Sequence, residues 1–345
     1  MRAHRLNFLT AGVFLAISFP IVAYDKAEHT SQLKKLPAGE NIIWTDPGDL
    51  SKLDLIHGVG GIDGVPAPPF RFVQEDLGGS TPKVKIKDAK GREWSVKFGV
   101  EAKPSVFSTR LAWACGYTVE TEYLVGQGVI EGARGLKRAK SYIQSDGSFT
   151  DARFQLRSDS PKFLTSANWT WVSNPFVGSH ELNGLKILVM LLSNWDTKDA
   201  RDFSGGGASG LADSNLAIFQ SGTPDKPRYL YFVSDWGASM GQWGPMLIVR
   251  KKWNCSDYAA QTPSFIQGQD SQAVHFGFVG KHNDSIVNGV RASDVQWLLK
   301  YLGQVTDEQL RQALASSGAA PDELECYFTS LHQRIDQLKR VQPPQ

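Results

Sequence analysis

The segment Glu181 to Leu192, ELNGLKILVMLL, is apolar almost all the way round when wound as a helix. A helix with no face to show to water has to run through the middle of a packed body. The chain must therefore build a lobe around this one element, with partners drawn from both sides of it. Its apolar stretch, Leu185 to Leu192, is too short to be a membrane span, which needs about 20 apolar residues.

The residues before that helix follow a different period. Pro66 to Pro69 (PAPP) is stiff and extended. Phe72 to Glu75 then reads as a strand and Leu77 to Pro82 (LGGSTP) as a turn. Val84 to Lys87 alternates apolar and charged residues, which predicts a strand with one wet face. After the turn DAKGR, Trp94 to Phe98 (WSVKF) is a third strand carrying Lys97. Pro104 suits a first helical turn, Val106, Phe107, Leu111 and Ala114 follow at helical spacing, and Gly116 ends the helix. Thr118 to Val125 predicts another strand, and Ile130 to Leu156 a basic hairpin.

Beyond the buried helix, Phe203 to Leu211 (FSGGGASGL) is a low-complexity loop expected to be mobile. Leu216 to Gln220 and Tyr229 to Val233 read as strands. Val295 to Leu302, Asp307 to Ala315 and Asp322 to Leu338 are amphipathic helices with acidic starts. The order is a small β lobe, a helix, and a mainly helical lobe, an α+β layout with no βαβ alternation.

The first residues have the order of an export signal. Arg2, His4 and Arg5 precede the uncharged stretch Phe8 to Ala23, and charge returns at Asp25 and Lys26. Cleavage would leave a periplasmic or extracellular protein without a membrane span. In such an oxidising place two of the three cysteines can pair. Cys255 and Cys326 are favoured, because Cys115 sits in the apolar run RLAWACGY. The net charge of +2 gives no case for nucleic acid or a membrane surface, and the histidines show no zinc spacing.

Four motifs carry chemistry. Gly78-Gly79-Ser80-Thr81 is a turn whose amides can approach phosphates. Lys97 lies between Val96 and Phe98, where an ammonium needs an anionic partner. Asp196, in Asn194-Trp195-Asp196-Thr197-Lys198, follows the buried helix on a loop, where reactive groups often stand. Asp235 in Ser234-Asp235-Trp236-Gly237 ends a strand. Alone, each is an ordinary turn or a solvated side chain.

Their order is more specific, and it resembles the protein-kinase-like fold. The stretches DPGDLSKLDL, FVQEDLGGSTPK, WSVKFG, RLAWACGY, NWDTKDA and SDWGASMG look like a family of uncharacterised exported bacterial proteins with this pattern, HipA-type and secretory-pathway kinases being the nearest in style. The resemblance covers most of the chain from about Asp46. It implies ATP and Mg2+ as cofactors, with Gly78 and Gly79 over the phosphates, Lys97 on the α/β-phosphates, Asp196 orienting the accepting hydroxyl, and Asp235 with Asn215 holding metal. It also implies an envelope protein or a small molecule as the acceptor.

Three departures stand out. The metal-binding Asn of the loop pattern would fall at Arg201, and Asn215 is the displaced substitute. The acidic partner of Lys97 is expected at Ser105, with Glu101 out of register. Asn194 replaces the usual histidine. The resemblance thus leaves two forms open, a working phosphotransferase and a degenerate nucleotide binder.

The boundaries expected are 1–23 for the signal peptide, 24–69 for an extended lead-in, 70–128 for the small β lobe with one helix, and 129–345 for the larger lobe. Two other readings compete. Gly237-Ala238-Ser239-Met240-Gly241 fits a serine hydrolase elbow, with Asp257 or Asp284 and His282 as partners. Trp169, Trp171, Trp195, Trp236 and Trp243 would line an aromatic groove in a non-catalytic envelope module.

Overall fold

The computed structural model describes residues 36–158, 161–164, 167–202, 214–244 and 250–342. The export signal and the loop Phe203 to Leu211 lie outside these residues. Among the described residues, no helix is long and apolar enough to cross a membrane.

Alternation builds the small lobe. Strands β2 (Phe70–Asp76), β3 (Lys83–Lys87) and β4 (Glu93–Lys97) form an antiparallel meander. After helix α1 (Ala102–Ala114), β5 (Glu122–Glu131) and β6 (Ser148–Arg157) pair with each other. β6 then pairs with β4, and β5 meets β2 in parallel, closing a five-stranded barrel. Val84, Ile86, Trp94, Val96 and Phe154 point inward and are fully buried. With a period of two, their neighbours Ser95, Lys97, Arg153 and Gln155 must share the opposite face. The register sets Lys97 beside Arg153 and Ser95 beside Gln155.

The barrel thus runs on to Arg157, and the lobe boundary at 128 falls inside β5. The error has a physical cause: β6 belongs to the lobe through its ladder with β4, a pairing with no local signature. The lead-in is likewise more than extended chain. Its strand β1 (Glu40–Ile42) lies parallel to β9 (Lys226–Val233) in the other lobe. Leu50 and Leu55 are buried there too.

The large lobe packs around α2 (His180–Leu191), as its composition demands. Every residue from Leu182 to Leu191 is buried. Ser179 caps the helix by accepting from the Leu182 amide at 3.1 Å. Gly184 allows a close approach, because a Cβ there would lie 2.5 Å from the Tyr117 hydroxyl. One side of the lobe is the sheet β1-β9-β8-β7, with β7 at Lys162–Phe163 and β8 at Leu216–Thr223. The short ladders β10 (Gln242–Trp243) with β11 (Arg250–Lys251), and β12 (Ile266–Gln269) with β13 (Val274–Phe276), add two hairpins.

The remaining helices are α3 (Cys255–Gln261), α4 (Asn283–Val287), α5 (Ala292–Leu302), α6 (Asp307–Ser316) and α7 (Pro321–Lys339). Cys255 and Cys326 are disulfide-bonded and join α3 to α7, while Cys115 is a buried free thiol. Two separate hydrophobic cores, one in the barrel and one around α2, make the molecule two-lobed and α+β. Helix α1 bridges them, with Phe107 and Leu111 in the larger core.

Candidate active site

A cleft of about 400 Å³ opens between the lobes. Gly78, Gly79, Lys97, Asp196, Asn215 and Asp235 all line it. Six positions spread from 78 to 235 therefore meet in one place.

The small lobe supplies the roof. The outer face of β4 and β6 presents Ser95, Lys97, Arg153, Gln155 and Arg157 to the cleft. The glycine turn closes its edge. Arg138 donates to the carbonyls of Leu77 at 3.0 Å and Gly79 at 2.8 Å, and also to that of Ser80. Glu75 in turn accepts from the amides of Lys137, Arg138 and Ala139, at 2.7 Å each. One guanidinium thus satisfies three carbonyls of the turn and fixes its course.

Lys97 sits at the centre of the charge. Its ammonium lies 2.9 Å from Glu101 Oε2 and 3.3 Å from Asp235 Oδ2. Burial works against its charge, yet Asp235 and Glu101 hold its pKa above the usual lysine value. Glu101 is a hub. It accepts from the Thr81 hydroxyl at 2.7 Å and also pairs with Lys252 of the large lobe. Against the penalty of burial, Lys97 and then Lys252 hold its carboxyl far below the usual range.

The partner of Lys97 is therefore Glu101, where Ser105 was expected. Gly99, at φ +85°, turns the chain so that Glu101 reaches back four residues from the start of α1. Ser105 lies one turn further on. It donates to Glu122 Oε2 at 2.8 Å and accepts from Arg153 at 2.9 Å, behind the cleft.

The large lobe supplies the floor. After α2 the chain passes through Ser193, at φ +48°, into the loop bearing Asp196. The loop is pinned on several sides. Trp171 Nε1 donates to the Thr197 carbonyl at 3.2 Å, and the Thr197 hydroxyl donates to the Lys281 carbonyl. The Asn215 carboxamide nitrogen donates to the Asp196 carbonyl, and the Asn215 amide to that of Lys198 at 3.1 Å. Asp196 faces Lys198 at 3.2 Å and Lys281 at 3.4 Å. Its buried Oδ1 has the Lys281 ammonium as its neighbour but no aligned hydrogen bond.

Asp235 ends β9. Its Oδ1 accepts from the Gly237 amide at 2.8 Å, which leaves Oδ2 toward Lys97. Burial opposes its ionisation, but Lys97 holds its pKa below the usual value. Asn194 donates to the Asp235 carbonyl at 3.1 Å and so ties the two acidic loops together. Arg201 is no metal ligand, since it grips the buried Asp199 with Nε and Nη2 at 2.9 and 2.6 Å. Asp199, Asp202 and His282 form the one cluster of three metal-ligand side chains among the described residues, with Asp199 held by Arg201 at 2.6 Å and Asp202 by His282 at 2.7 Å.

Sequence reasoning missed Glu120, Arg157 and Lys252 in the lining. The alternation in Arg153-Phe154-Gln155-Leu156-Arg157 was the available signal for the arginines. Glu120 had none. Burial pushes its carboxyl up to about 7; Arg157 and Arg153 oppose that, and Glu122 and Asp235 add to it. The native state then keeps a proton that the unfolded chain loses above its ordinary 4.5. Native stability therefore falls as pH rises from about 4.5 to 7 and levels off above that. Glu120→Gln removes this penalty. Its Tm is expected to match the wild type near pH 4.5 and exceed it at pH 8. An equal difference at both pH values contradicts the assignment.

Two competing readings gain no support here. Ser239 is fully buried, its hydroxyl has no hydrogen-bond partner, and the described residues 240–244 after it are not helical. His282 is engaged with Asp202 at 2.7 Å. Trp169, Trp171, Trp195 and Trp236 are buried, and the half-buried Trp243 packs on Trp195 with ring centroids 5.0 Å apart.

No family model matches the chain, and no curated protein is similar to it at a significant level. The exported bacterial family suggested by the sequence therefore finds no support there. Among solved structures, a crystal structure of the Golgi casein kinase is 8% identical, with 80% of this chain and 74% of that chain covered and a TM-score of 0.34. One of the Golgi casein kinase with Mn/ADP bound is 10% identical, with 92% and 86% covered and a TM-score of 0.37. Likenesses this distant carry no functional weight, and the chemistry of this chain has to be read from its own cleft.

Proposed function

We propose that this chain is an exported protein with a protein-kinase-like fold that transfers a phosphoryl group from a nucleoside triphosphate to a hydroxyl. The observation that carries the reading is the meeting of Gly78, Gly79, Lys97, Asp196, Asn215 and Asp235 in one interlobe cleft. The disulfide between Cys255 and Cys326 agrees with export to an oxidising place.

The lining suits Mg2+ and a triphosphate. Asp235 and the carboxamide oxygen of Asn215 are hard oxygen donors, the kind that Mg2+ prefers. Bound there, the ion would offset charge on the phosphates. Lys97, already held between two carboxylates, would take the α/β-phosphates. The turn at Gly78 and Gly79 would cover them. Asp196 would hold the acceptor hydroxyl through its undonated Oδ1 and receive its proton, with Lys198 and Lys281 tempering its charge.

The departures from the kinase pattern favour a working enzyme over a degenerate one. Glu101 stands where Ser105 was expected to serve, Asn215 stands in for position 201, and Asn194 joins the two acidic loops. The acceptor is an envelope protein or a small molecule with a hydroxyl.

The test is a thermal shift with Mg-ATP, followed by transfer of labelled phosphate to candidate envelope acceptors. Asp196→Asn is expected to keep the shift and to lose transfer by about 100-fold, in the range for loss of a general base. The absence of a shift with every nucleoside triphosphate sinks the proposal.

A further inference from the structure

The roof of the cleft is unusual for a nucleotide site. Small-molecule pockets are lined mainly by apolar and aromatic side chains. Here, among the described lining residues, Phe163 is the single apolar side chain. The reason is the barrel register. Trp94, Val96 and Phe154 are spent on the inner core. The face left for the cleft is Ser95, Gln155 and Arg157, with Glu120 beside them. A flat base laid against this face would strip water from four polar groups, a cost that only matching hydrogen bonds offset. Phe163 and the guanidinium planes of Arg153 and Arg157 are the stacking surfaces among the described lining residues, and Arg153 is already held by Glu122 at 2.9 Å.

The charge points the other way. Lys83, Lys97, Arg153, Arg157, Lys198 and Lys252 line the same cleft, against the carboxylates Glu101, Glu120, Asp196 and Asp235. Of the six cations, Lys83 is paired with Asp76 at 3.4 Å and Arg153 with Glu122 at 2.9 Å, both outside the lining, and Arg157 has no carboxylate within ion-pair distance among the described residues. Lys97, Arg157, Lys198 and Lys252 still offer a row of charged donors to a polyanion.

We infer that the cleft recognises the polyphosphate of its ligand and takes little from the base, so that inorganic tripolyphosphate binds with Mg2+ about as well as ATP does. This rests on the phosphotransfer reading and names the ligand class of that site.

Isothermal titration of the disulfide-intact chain with Mg-ATP, Mg-GTP, Mg-CTP and magnesium tripolyphosphate tests it. The four dissociation constants are expected to agree within about threefold, and adenosine without phosphate is expected not to bind. Mg-ATP binding tenfold or more tightly than magnesium tripolyphosphate, a difference of about 1.4 kcal/mol, overturns the inference and leaves the phosphotransfer reading standing. Binding by adenosine alone does the same. If no phosphate compound binds, both fall together.

Discussion

Replacing Asp235 by Asn is expected to weaken Mg-ATP binding by about 100-fold while leaving the ligand-free protein folded. The two halves of that expectation have different causes. Asp235 Oδ2 faces Lys97 at 3.3 Å, and Oδ1 is already taken by the Gly237 amide. The carboxamide of Asn keeps an oxygen for that amide, so the turn survives. The negative charge is lost, and with it the anionic ligand for a cation in the cleft. Truncating one partner of a desolvated charge pair costs about 2–5 kcal/mol in binding, and 100-fold is about 2.7 kcal/mol. Lys97 is not stranded, because Glu101 remains 2.9 Å away. The two carboxylates also repel each other, each disfavouring charge on its neighbour, so removing one relieves part of the repulsion on the other. Calorimetric titration with Mg-ATP measures the first half and a thermal melt without ligand the second. Retention of affinity within threefold takes Asp235 out of the metal role. Loss of the fold, with circular dichroism gone at 25 °C, makes its role structural.

The same residue shows how far the sequence could be read. Asp235, Lys97 and Asp196 were legible because each stands at the end of, or within, an element whose period was clear. The disulfide was legible for the same reason, since the apolar run around Cys115 places it in the core. Glu101 was not, because its reach depends on the left-handed turn at Gly99 and not on helical register. The strand β1 was hidden by its length, three residues paired with residues 228–230 far along the chain. The tryptophans misled for another reason. Their abundance suggests a groove, but Trp169 and Trp171 donate their indole N–H groups to the carbonyls of Ala217 and Thr197. They hold the floor of the cleft from behind. Composition reports how many rings there are, and only the packed chain decides which way they face.

Arg334 is the residue whose loss is expected to cost the fold most. It is 1% exposed, and its hydrogen bonds go to carbonyls and hydroxyls of the core, with no carboxylate among them. Its Nη1 donates to the Leu191 carbonyl and the Ser193 hydroxyl, both at 2.9 Å, its Nη2 to the Tyr258 carbonyl at 2.9 Å, and its Nε to the Thr262 hydroxyl at 3.0 Å. The guanidinium also lies 3.8 Å from the Tyr258 ring centroid. Burial lowers its pKa, and the negative end of α2 helps to keep it charged. A buried helix ends here with carbonyls that have no water to turn to, and this cation from α7 joins the Tyr258 hydroxyl as a donor to the Leu191 carbonyl. Arg334→Leu fills the space but leaves the Leu191 carbonyl with the Tyr258 hydroxyl at 2.6 Å and the Tyr258 carbonyl with the Thr262 hydroxyl at 3.2 Å in place of the charged donor. Hydrogen bonds from a charged donor are worth about 1.5–3 kcal/mol each, so losing these costs about 3–5 kcal/mol. At roughly 2–4 °C per kcal/mol for a chain somewhat smaller than this one, the Tm is expected to fall by about 10 °C. Arg334→Lys keeps the charge but lacks the fork, and an intermediate fall is expected. The groups it would abandon on α2 and its exit turn stand only a few residues before Asp196. Phosphate transfer by the folded fraction of Arg334→Lys is therefore expected to drop more than its affinity for Mg-ATP, because Asp196 is displaced and Lys97 is not. Equal losses in transfer and affinity, or a Tm change below about 3 °C for Arg334→Leu, remove Arg334 from this role.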